Sequence, residues 1–519
     1  RELGLDHRLG SIEVGKDADI ALFDAHPLDG FAQCQLTLID GEVAFQRFKA
    51  NDEPLLRPRP GTHKAMPEAP ESIRSQIVDI PFNAERRYAL VNATVHPVTG
   101  PVIKGGTIII EGETIAEVGG AETAVPEGAT TIDLAGLDVW PGMIDSGSDL
   151  GLNEIGSISA TQDGRELAPY QPEIRASVAI NADSSLIAAN RIAGVLSAFV
   201  RPTGGTIAGQ GALIDLNGWV WSDLVQAEEV ALYVNVPPAP PANLDEVLNR
   251  VSPQFADRYR ERFQDREKQL EDLKQLFRRA ARFAEVVHKA RDQGLLPPVD
   301  PRLEALAPYA RGEKLVVFSA NGRGEILTAL DLAMELGLKA ILSGGADAWK
   351  VADQIKEVGV PVLVTGTHRN PGRDDPYDSA YANPARLFEA GVTFAISSSG
   401  NPTEVRNLPM EAAMAVAYGL PEEEAIKAVT IVPAEIFGVA DQIGSIEPGK
   451  RANLVIAAGH LLQPTTQVKY LFIGGSPVSP ESRHTELYER YRRRLKEVQE
   501  GISTIGLIRE RESGPDRVG

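Results

Sequence analysis

Between residues 139 and 436, short apolar runs alternate with stretches of helical periodicity. The runs are "DVWPGMID", "AGVLSAFV", "EVALYVNV", "KLVVFSA", "LKAILSG", "VPVLVTG" and "VTFAISS". Strands that alternate with helices build βα units around a parallel sheet, and this many units in one stretch predict a closed β/α barrel. Upstream, "YALVNATVHP", "GTIIIEGETIAEVG" and "TTIDLAGLDVW" alternate polar with apolar and are broken by Gly and Thr, which predicts a small β-sandwich. At the start of the chain "ADIALFDA" and "LTLIDGEVAFQR" are further strand-like runs, the second turning at Asp40-Gly41, a hairpin signal. The segment that follows is rich in proline and charge and reads as an extended linker. Residues 244–294 carry long amphipathic helical patterns with interspersed charge and no sustained heptads, so they read as an insertion covering the barrel rather than a coiled coil. Residues 480–500 predict a charged helix.

One pattern occurs twice. "LGSIEVGKDADIALFDAHPLDG" from Leu9 returns as "IGSIEPGKRANLVIAAGHLLQP" from Ile443. Gly10, Ser11, Ile12, Glu13, Gly15 and Lys16 match Gly444, Ser445, Ile446, Glu447, Gly449 and Lys450, each 434 positions on and without a gap. Ala18, His26, Ile39 and Gly41 match Ala452, His460, Ile473 and Gly475 at the same offset. Such a long-period repeat implies one full unit preceded by the tail of another. The chain is therefore expected to be the C-terminal part of a longer tandem polypeptide.

Composition narrows the classes. With 519 residues the chain is too long for one ordinary core. A net charge of −20 argues against nucleic acid, whose phosphates need a concentrated basic surface. No apolar run approaches the ~18 residues of a membrane span. The composition is that of a soluble globular protein, compatible with cytoplasm, periplasm or secretion. The single Cys34 excludes an intrachain disulfide and a cysteine-based zinc site.

Two motifs carry a resemblance. "DLAGLDVWPGMIDSGSDLGL" is similar to the entry into the barrel of the amidohydrolase superfamily, in its imidazolonepropionase-like and dipeptidase-like branch, and "AIKAVTIVPAEIFGVADQIGSIEPGKRANLVI" to the exit from that barrel. The resemblance implies an α/β fold, a (β/α)8 TIM-like barrel flanked by a small β-sandwich built from both ends of the unit. Residues 1–48 then correspond to the sandwich-closing tail of a preceding unit and 49–83 to a linker. Residues 84–138 and 437–478 form the two parts of the sandwich, 139–436 the barrel with a helical insertion at 242–296, and 479–519 a charged helix and tail.

In that family a His-x-His pair after a Pro-Gly-x-Ile-Asp turn binds a divalent metal. Later strand ends supply a carboxylated lysine or glutamate, two histidines and an aspartate, and metal-bound water attacks a carbonyl. Here Pro141-Gly142-Met143-Ile144-Asp145 is intact, but the pair reads Ser146-Gly147-Ser148. The later strand ends read Phe318-Ser319-Ala320-Asn321, Leu342-Ser343-Gly344-Gly345 and Ile396-Ser397-Ser398-Ser399-Gly400. Hydroxyls are poor ligands for such metals. Ser146, Ser148, Ser319, Ser343 and Ser399 thus mark degenerate ligand positions. No metal or other cofactor is expected in this chain, and a divalent metal such as Zn is expected in the upstream unit.

Of the eight histidines, His7, His26, His63, His96, His460 and His484 fall outside the barrel and His288 in a helical stretch. His368, in "TGTHRNPGRDDPYD" after a barrel strand, is placed to face the barrel mouth. With Arg373 and Asp374 it forms the candidate for an alternative, metal-free site, although the same loop has the turn chemistry to order itself by its own ion pairs. The glycine-rich "RPTGGTIAGQGALIDLNG" lacks a phosphate-loop lysine and is expected to be a hairpin over the barrel mouth. The resulting expectation is a degenerate structural or regulatory half of a hydrolase acting on C–N bonds. Its partner would be the upstream unit, on the same precursor or a separate chain, with a homo-oligomer also possible. The alternatives are a hydrolase with a rebuilt metal-free site and a small-ligand-binding barrel.

Overall fold

The computed structural model describes residues 7–47, 80–240, 252–372 and 374–499. Arg373, most of the linker and the tail after 499 lie outside them. Three antiparallel strands come first: β1 (Ile20–Phe23), β2 (Cys34–Ile39) and β3 (Glu42–Gln46). The hairpin between β2 and β3 turns at Asp40 (φ 51°) and Gly41 (φ 81°), the paired positive angles of a type I′ turn.

A second sheet starts with β4 (Arg87–Val95), β5 (Ile103–Glu111), β6 (Thr114–Gly119), β7 (Thr130–Asp133) and β8 (Asp138–Pro141). The chain then forms the barrel wall from β9 (Met143–Ser148), β10 (Val195–Val200), β11 (Ile207–Asp215), β12 (Val225–Asn235), β13 (Leu315–Ala320), β14 (Lys339–Gly344), β15 (Val362–Thr365) and β16 (Phe394–Ser397), neighbours in sequence order. It returns to the second sheet with β17 (Leu454–Ala458), β18 (Gln467–Ile473) and β19 (Ser476–Val478), β17 pairing with β8. Both ends of the unit therefore share one sheet. Its own core of Tyr88, Leu90, Ile108, Ile110, Leu454, Ile456 and Phe472 is separate from that of the barrel.

The wall departs from the expected βα repetition at one strand. β11 runs antiparallel to both β10 and β12, and each of its nine residues is buried. The glycine-rich stretch is thus a wall strand, not a hairpin over the mouth. Its glycines answer to close packing rather than to turning: a Cβ on Gly211 would lie 2.6 Å from the Tyr233 ring and 2.8 Å from the Val200 carbonyl. Inside the barrel Ile144, Phe199, Leu213, Ala231, Val317, Ile341, Leu363 and Ala395, one from each strand, form a single apolar cluster.

Outside, the insertion folds as helices Pro253–Gln264 and Arg266–Asp292. The longer helix buries Leu273, Phe277 and Ala280, a spacing that keeps them on one face. Among the described residues no helix is long and apolar enough to cross a membrane.

Residues 7–47 dock on the rest of this chain. Gly30 N donates to Gln463 Oε1 (3.1 Å), Gln463 Nε2 to Asp29 Oδ1 (2.9 Å), and Arg47 Nη2 to Tyr418 Oη (3.2 Å). Phe31 is buried, its ring edge-on to His460 with centroids 5.6 Å apart. One large aromatic and one arginine thus anchor the three-stranded sheet.

Candidate functional site at the barrel mouth

Side chains of a strand alternate between its faces, so residues two places beyond the interior cluster line the next level toward the C-terminal mouth. On the parallel strands these are Ser146, Arg201, Tyr233, Ser319, Ser343, Thr365 and Ser397. The level offers six hydroxyls and one guanidinium, and no imidazole or carboxylate. Ser146 Oγ and Ser148 Oγ are fully buried without a partner among the described residues; Ser148 follows an irregularity in β9 and stands opposite Val200 rather than Arg201. Ser319 and Ser343 are half-buried. Ser399 lies past the end of β16, where its hydroxyl bonds Glu404.

Arg201 is the cation of this face. Its amide donates to the Ser148 carbonyl (2.9 Å) and its Nε to the Gly147 carbonyl (3.3 Å). A Cβ added to Gly400 would lie 2.7 Å from Arg201 Nη2, so the guanidinium lies between the loops that follow the first and last strands. Tyr233 is held well above the usual phenol range by burial. Burial likewise pushes the Asp149 carboxyl up, only partly opposed by Asn153 and Arg201.

Could this face hold a divalent metal? Its donors are mainly hydroxyls, which bind such ions weakly, its cation Arg201 would repel them, and burial disfavours the charged form of Asp149, the carboxyl beside that cation. The nearby Asp145 carboxylate already accepts bonds from the last strand. Among the described residues no three of His, Cys, Asp and Glu converge as a ligand set. These residues do not fit the metal.

Beside this ring, a cavity of about 520 Å³ is lined by Asn321, Thr365, His368, Arg369, Ser399, Glu404 and Glu411. His368 lines it, and its carboxylate partner is not Asp374. Glu411 Oε1 lies 3.4 Å from His368 Nδ1, and Glu411 Oε2 accepts from the His368 amide (3.1 Å) and from Thr367 Oγ1. Burial would raise the Glu411 carboxyl, but these donors and the imidazole outweigh it and hold the group below the usual range. Asp374 is exposed on the turn, and Arg373 lies outside the described residues. The rest of that loop is held by ion pairs with its neighbours: Asp375 with Lys350 (2.6 Å) and Asp378 with Arg386 (3.3 Å). Glu411 and Arg201 were missed from sequence, though each left a trace. Glu411 is a lone acid in the apolar run "LPMEAAMAVA", and Arg201 follows directly on the apolar strand "VLSAFV".

Outside the barrel, His26, His96 and His460 make local structural contacts. His26 Nδ1 and His460 Nδ1 accept from the amides of Leu28 (3.1 Å) and Leu462 (3.2 Å), and His96 stacks on Trp140 at 3.6 Å.

A family model described as the amidohydrolase family matches residues 267–478, which span β13 to β16 of the barrel and the returning strands. The crystal structure of an amidohydrolase from Thermotoga maritima, 25% identical, superposes with a TM-score of 0.66 over 76% of this chain and 100% of that one. Over residues 267–478 the chain is of the amidohydrolase family, and its fold is that of a solved amidohydrolase. Among curated relatives, an imidazolonepropionase of Porphyromonas gingivalis is 43% identical over 79 residues, 15% of this chain and 19% of that protein. An amidohydrolase of Hapsidospora irregularis is 29% identical over 176 residues, 31% of this chain and 17% of that protein. The chain thus spans about a fifth of the length of the curated relatives it matches.

Proposed function

We propose that this amidohydrolase unit is the structural or regulatory half of a tandem hydrolase acting on C–N bonds, whose metal chemistry belongs to a preceding unit. The observation that carries this reading is the ring at the strand ends, where serine hydroxyls and Arg201 stand at the level from which the family presents metal ligands. The repeat at residues 7–47 supports it. So does the match to the Hapsidospora irregularis amidohydrolase, whose aligned part is 31% of this chain and only 17% of that protein, which is therefore nearly twice as long. The test is elemental analysis after dialysis. This chain should hold well under one equivalent of Zn, Mn, Fe or Ni, whereas a longer polypeptide with the preceding repeat should hold at least one. Stoichiometric tight metal in this chain would overturn the reading.

The cavity beside the ring favours a second role for the same unit, as a metal-free small-ligand site. There Glu411 fixes the orientation of the His368 imidazole, and Arg369 and Asn321 supply donors. Ligand-induced shifts in the His368 ring resonances, lost in Arg369→Ala, would support it.

A further inference from the structure

The contact between residues 7–47 and the rest of the chain brings the repeat against itself. Asp29 and Gln463 are repeat equivalents, 434 positions apart, and they bond each other at 2.9 Å. The neighbouring residue lies alongside: Gly30 N donates to Gln463 Oε1 (3.1 Å), and a Cβ added to Gly30 would lie 3.4 Å from Cδ of its own equivalent, Pro464. In a contact between two like bodies, a residue meets its own counterpart only near the rotation axis that relates them, and in a closed pair that axis is a two-fold. The bonded pair Asp29 and Gln463, with the next pair alongside, is the place where such an axis would pass.

The two segments are also alike in detail. Lys16 Nζ bonds Ser11 Oγ as Lys450 Nζ bonds Ser445 Oγ, both at 2.5 Å. The Asp40 amide bonds Asp19 Oδ1 (2.9 Å) as the Gly474 amide bonds Asn453 Oδ1 (2.8 Å). The strand register repeats too, Ile20 opposite Leu38 and Leu454 opposite Phe472.

Their coverings differ. Ile12, Leu22 and Leu28 are 84%, 44% and 60% exposed, while their equivalents Ile446, Ile456 and Leu462 are 2%, 0% and 0% exposed. What covers the second set is the body of this unit: β8 lies along β17, and no described strand lies along the free edge of β1. An apolar face with a bare strand edge, shaped like one that a known set of strands covers, specifies what fits it.

We infer that residues 7–47 are the footprint of a second amidohydrolase unit packed on this one about an approximate two-fold axis passing between Asp29 and Gln463. This rests on the tandem reading above and adds the geometry. The docking surface on this unit is the loop carrying His460, Gln463 and Pro464, together with Ala413 and Tyr418. The occupant is a unit of the same kind whose own counterparts of β8 and β4 cover β1. The two barrels are then related as in a symmetric dimer, with one polypeptide supplying both halves.

Three measurements test it. In a Cys34→Ser background, Asp29→Cys with Gln463→Cys should form an intrachain disulfide under mild oxidation. An interchain dimer would overturn the contact, and so would strict additivity of Asp29→Ala and Gln463→Ala in melting temperature, since residues in contact should couple. In the unmodified longer polypeptide carrying the preceding repeat, amide exchange at 20–23 should slow to the level of 454–458, whereas in the 519-residue chain it should be at least tenfold faster. Unchanged fast exchange in the longer polypeptide, or no such repeat upstream, would overturn the proposal. If 20–23 is protected there but the polypeptide holds no metal, the catalytic assignment fails and the two-fold packing stands.

Discussion

Asp145 Oδ1 accepts the amide of Ser398 at 2.9 Å and the hydroxyl of Ser397 at 3.2 Å, joining the first strand of the barrel to its last. Among the described residues no strand ladder joins β9 to β16, so this fully buried carboxylate supplies what a ladder would otherwise supply at the seam. The intact Pro-Gly-x-Ile-Asp motif thus has a structural use that does not depend on the histidines that follow it in relatives. Asp145→Ala leaves the Ser398 amide unsatisfied and should cost about 1–3 kcal/mol by urea denaturation. Asp145→Asn keeps an acceptor and should cost less. An unchanged midpoint for the alanine variant would show that the seam closes without this bond.

Ser146→Ala and Ser148→Ala should behave in the opposite sense. Each removes a buried hydroxyl that has no partner among the described residues, so stability should change by no more than ~0.5 kcal/mol or rise slightly. If the ring is inert, hydrolysis by the longer polypeptide should also be unchanged. A hundredfold loss of activity with the fold intact would put these serines in the chemistry.

Arg451 makes the main polar tie between barrel and sheet. Its Nη2 lies 3.1 Å from Asp215 Oδ2 and its Nη1 2.9 Å from Glu113 Oε2, and Asp215 Oδ1 accepts from Ser197 and Asn453. Burial raises the Asp215 carboxyl, and Arg451 and the other donors draw it only partly back. Arg451→Met strands a buried carboxylate and should cost about 3–5 kcal/mol at neutral pH. A carboxyl whose folded pKa is raised gives stability that is present below its unfolded value near 3.8 and lost as pH rises through the folded value. Without Arg451 the rise is larger. The deficit of the variant should therefore shrink toward pH 4, and a deficit independent of pH would mean Asp215 is not the group left unpaired.

Glu411 titrates in the other direction. Its depressed pKa gives stability that is present above the unfolded value near 4.5 and lost as pH falls through the folded value. Wild type should exceed Glu411→Gln in melting temperature at pH 7, and the gap should close in acid. A constant gap would show that the carboxylate charge contributes nothing.

Much of this was written in the pattern of the chain, for identifiable reasons. Strand runs such as "KLVVFSA" and "VTFAISS" are short and apolar between helical stretches, so the wall could be read from local periodicity. β11 could not: Gly209 and Gly211 signal a turn by composition, and only the crowding of Tyr233 against the backbone shows why glycine is needed in a strand. The serine ring followed from a motif with missing histidines. The pairing of His368 with Glu411 did not, because the two are 43 residues apart and meet only when the helix Leu408–Ala417 packs beside β16. The nearer acids, Asp374 and Asp375, were the natural candidates, but Lys350 holds the second of them in the loop.

The repeated hairpin turn offers a paired test of what each copy touches. Gly41 and Gly475 are equivalents with φ of 81° and 69°, angles that disfavour any side chain by about 1–2 kcal/mol. Around Gly41 the space is open: an added Cβ would meet only Ala18 Cβ, at 3.7 Å. At Gly475 the same atom would fall 1.9 Å from the Gly112 carbonyl oxygen, where the turn between β5 and β6 packs on the turn between β18 and β19. A backbone oxygen cannot rotate away, so Gly475→Ala adds overpacking of about 1–3 kcal/mol to the backbone penalty. Gly41→Ala in this chain should lower the melting temperature only slightly, and Gly475→Ala several times more. In a longer polypeptide with the preceding repeat, Gly41→Ala should become as costly as Gly475→Ala, since the counterpart of Gly112 would then stand against it. If Gly41→Ala stays mild there, the preceding unit does not close over this turn as the present one closes over its own.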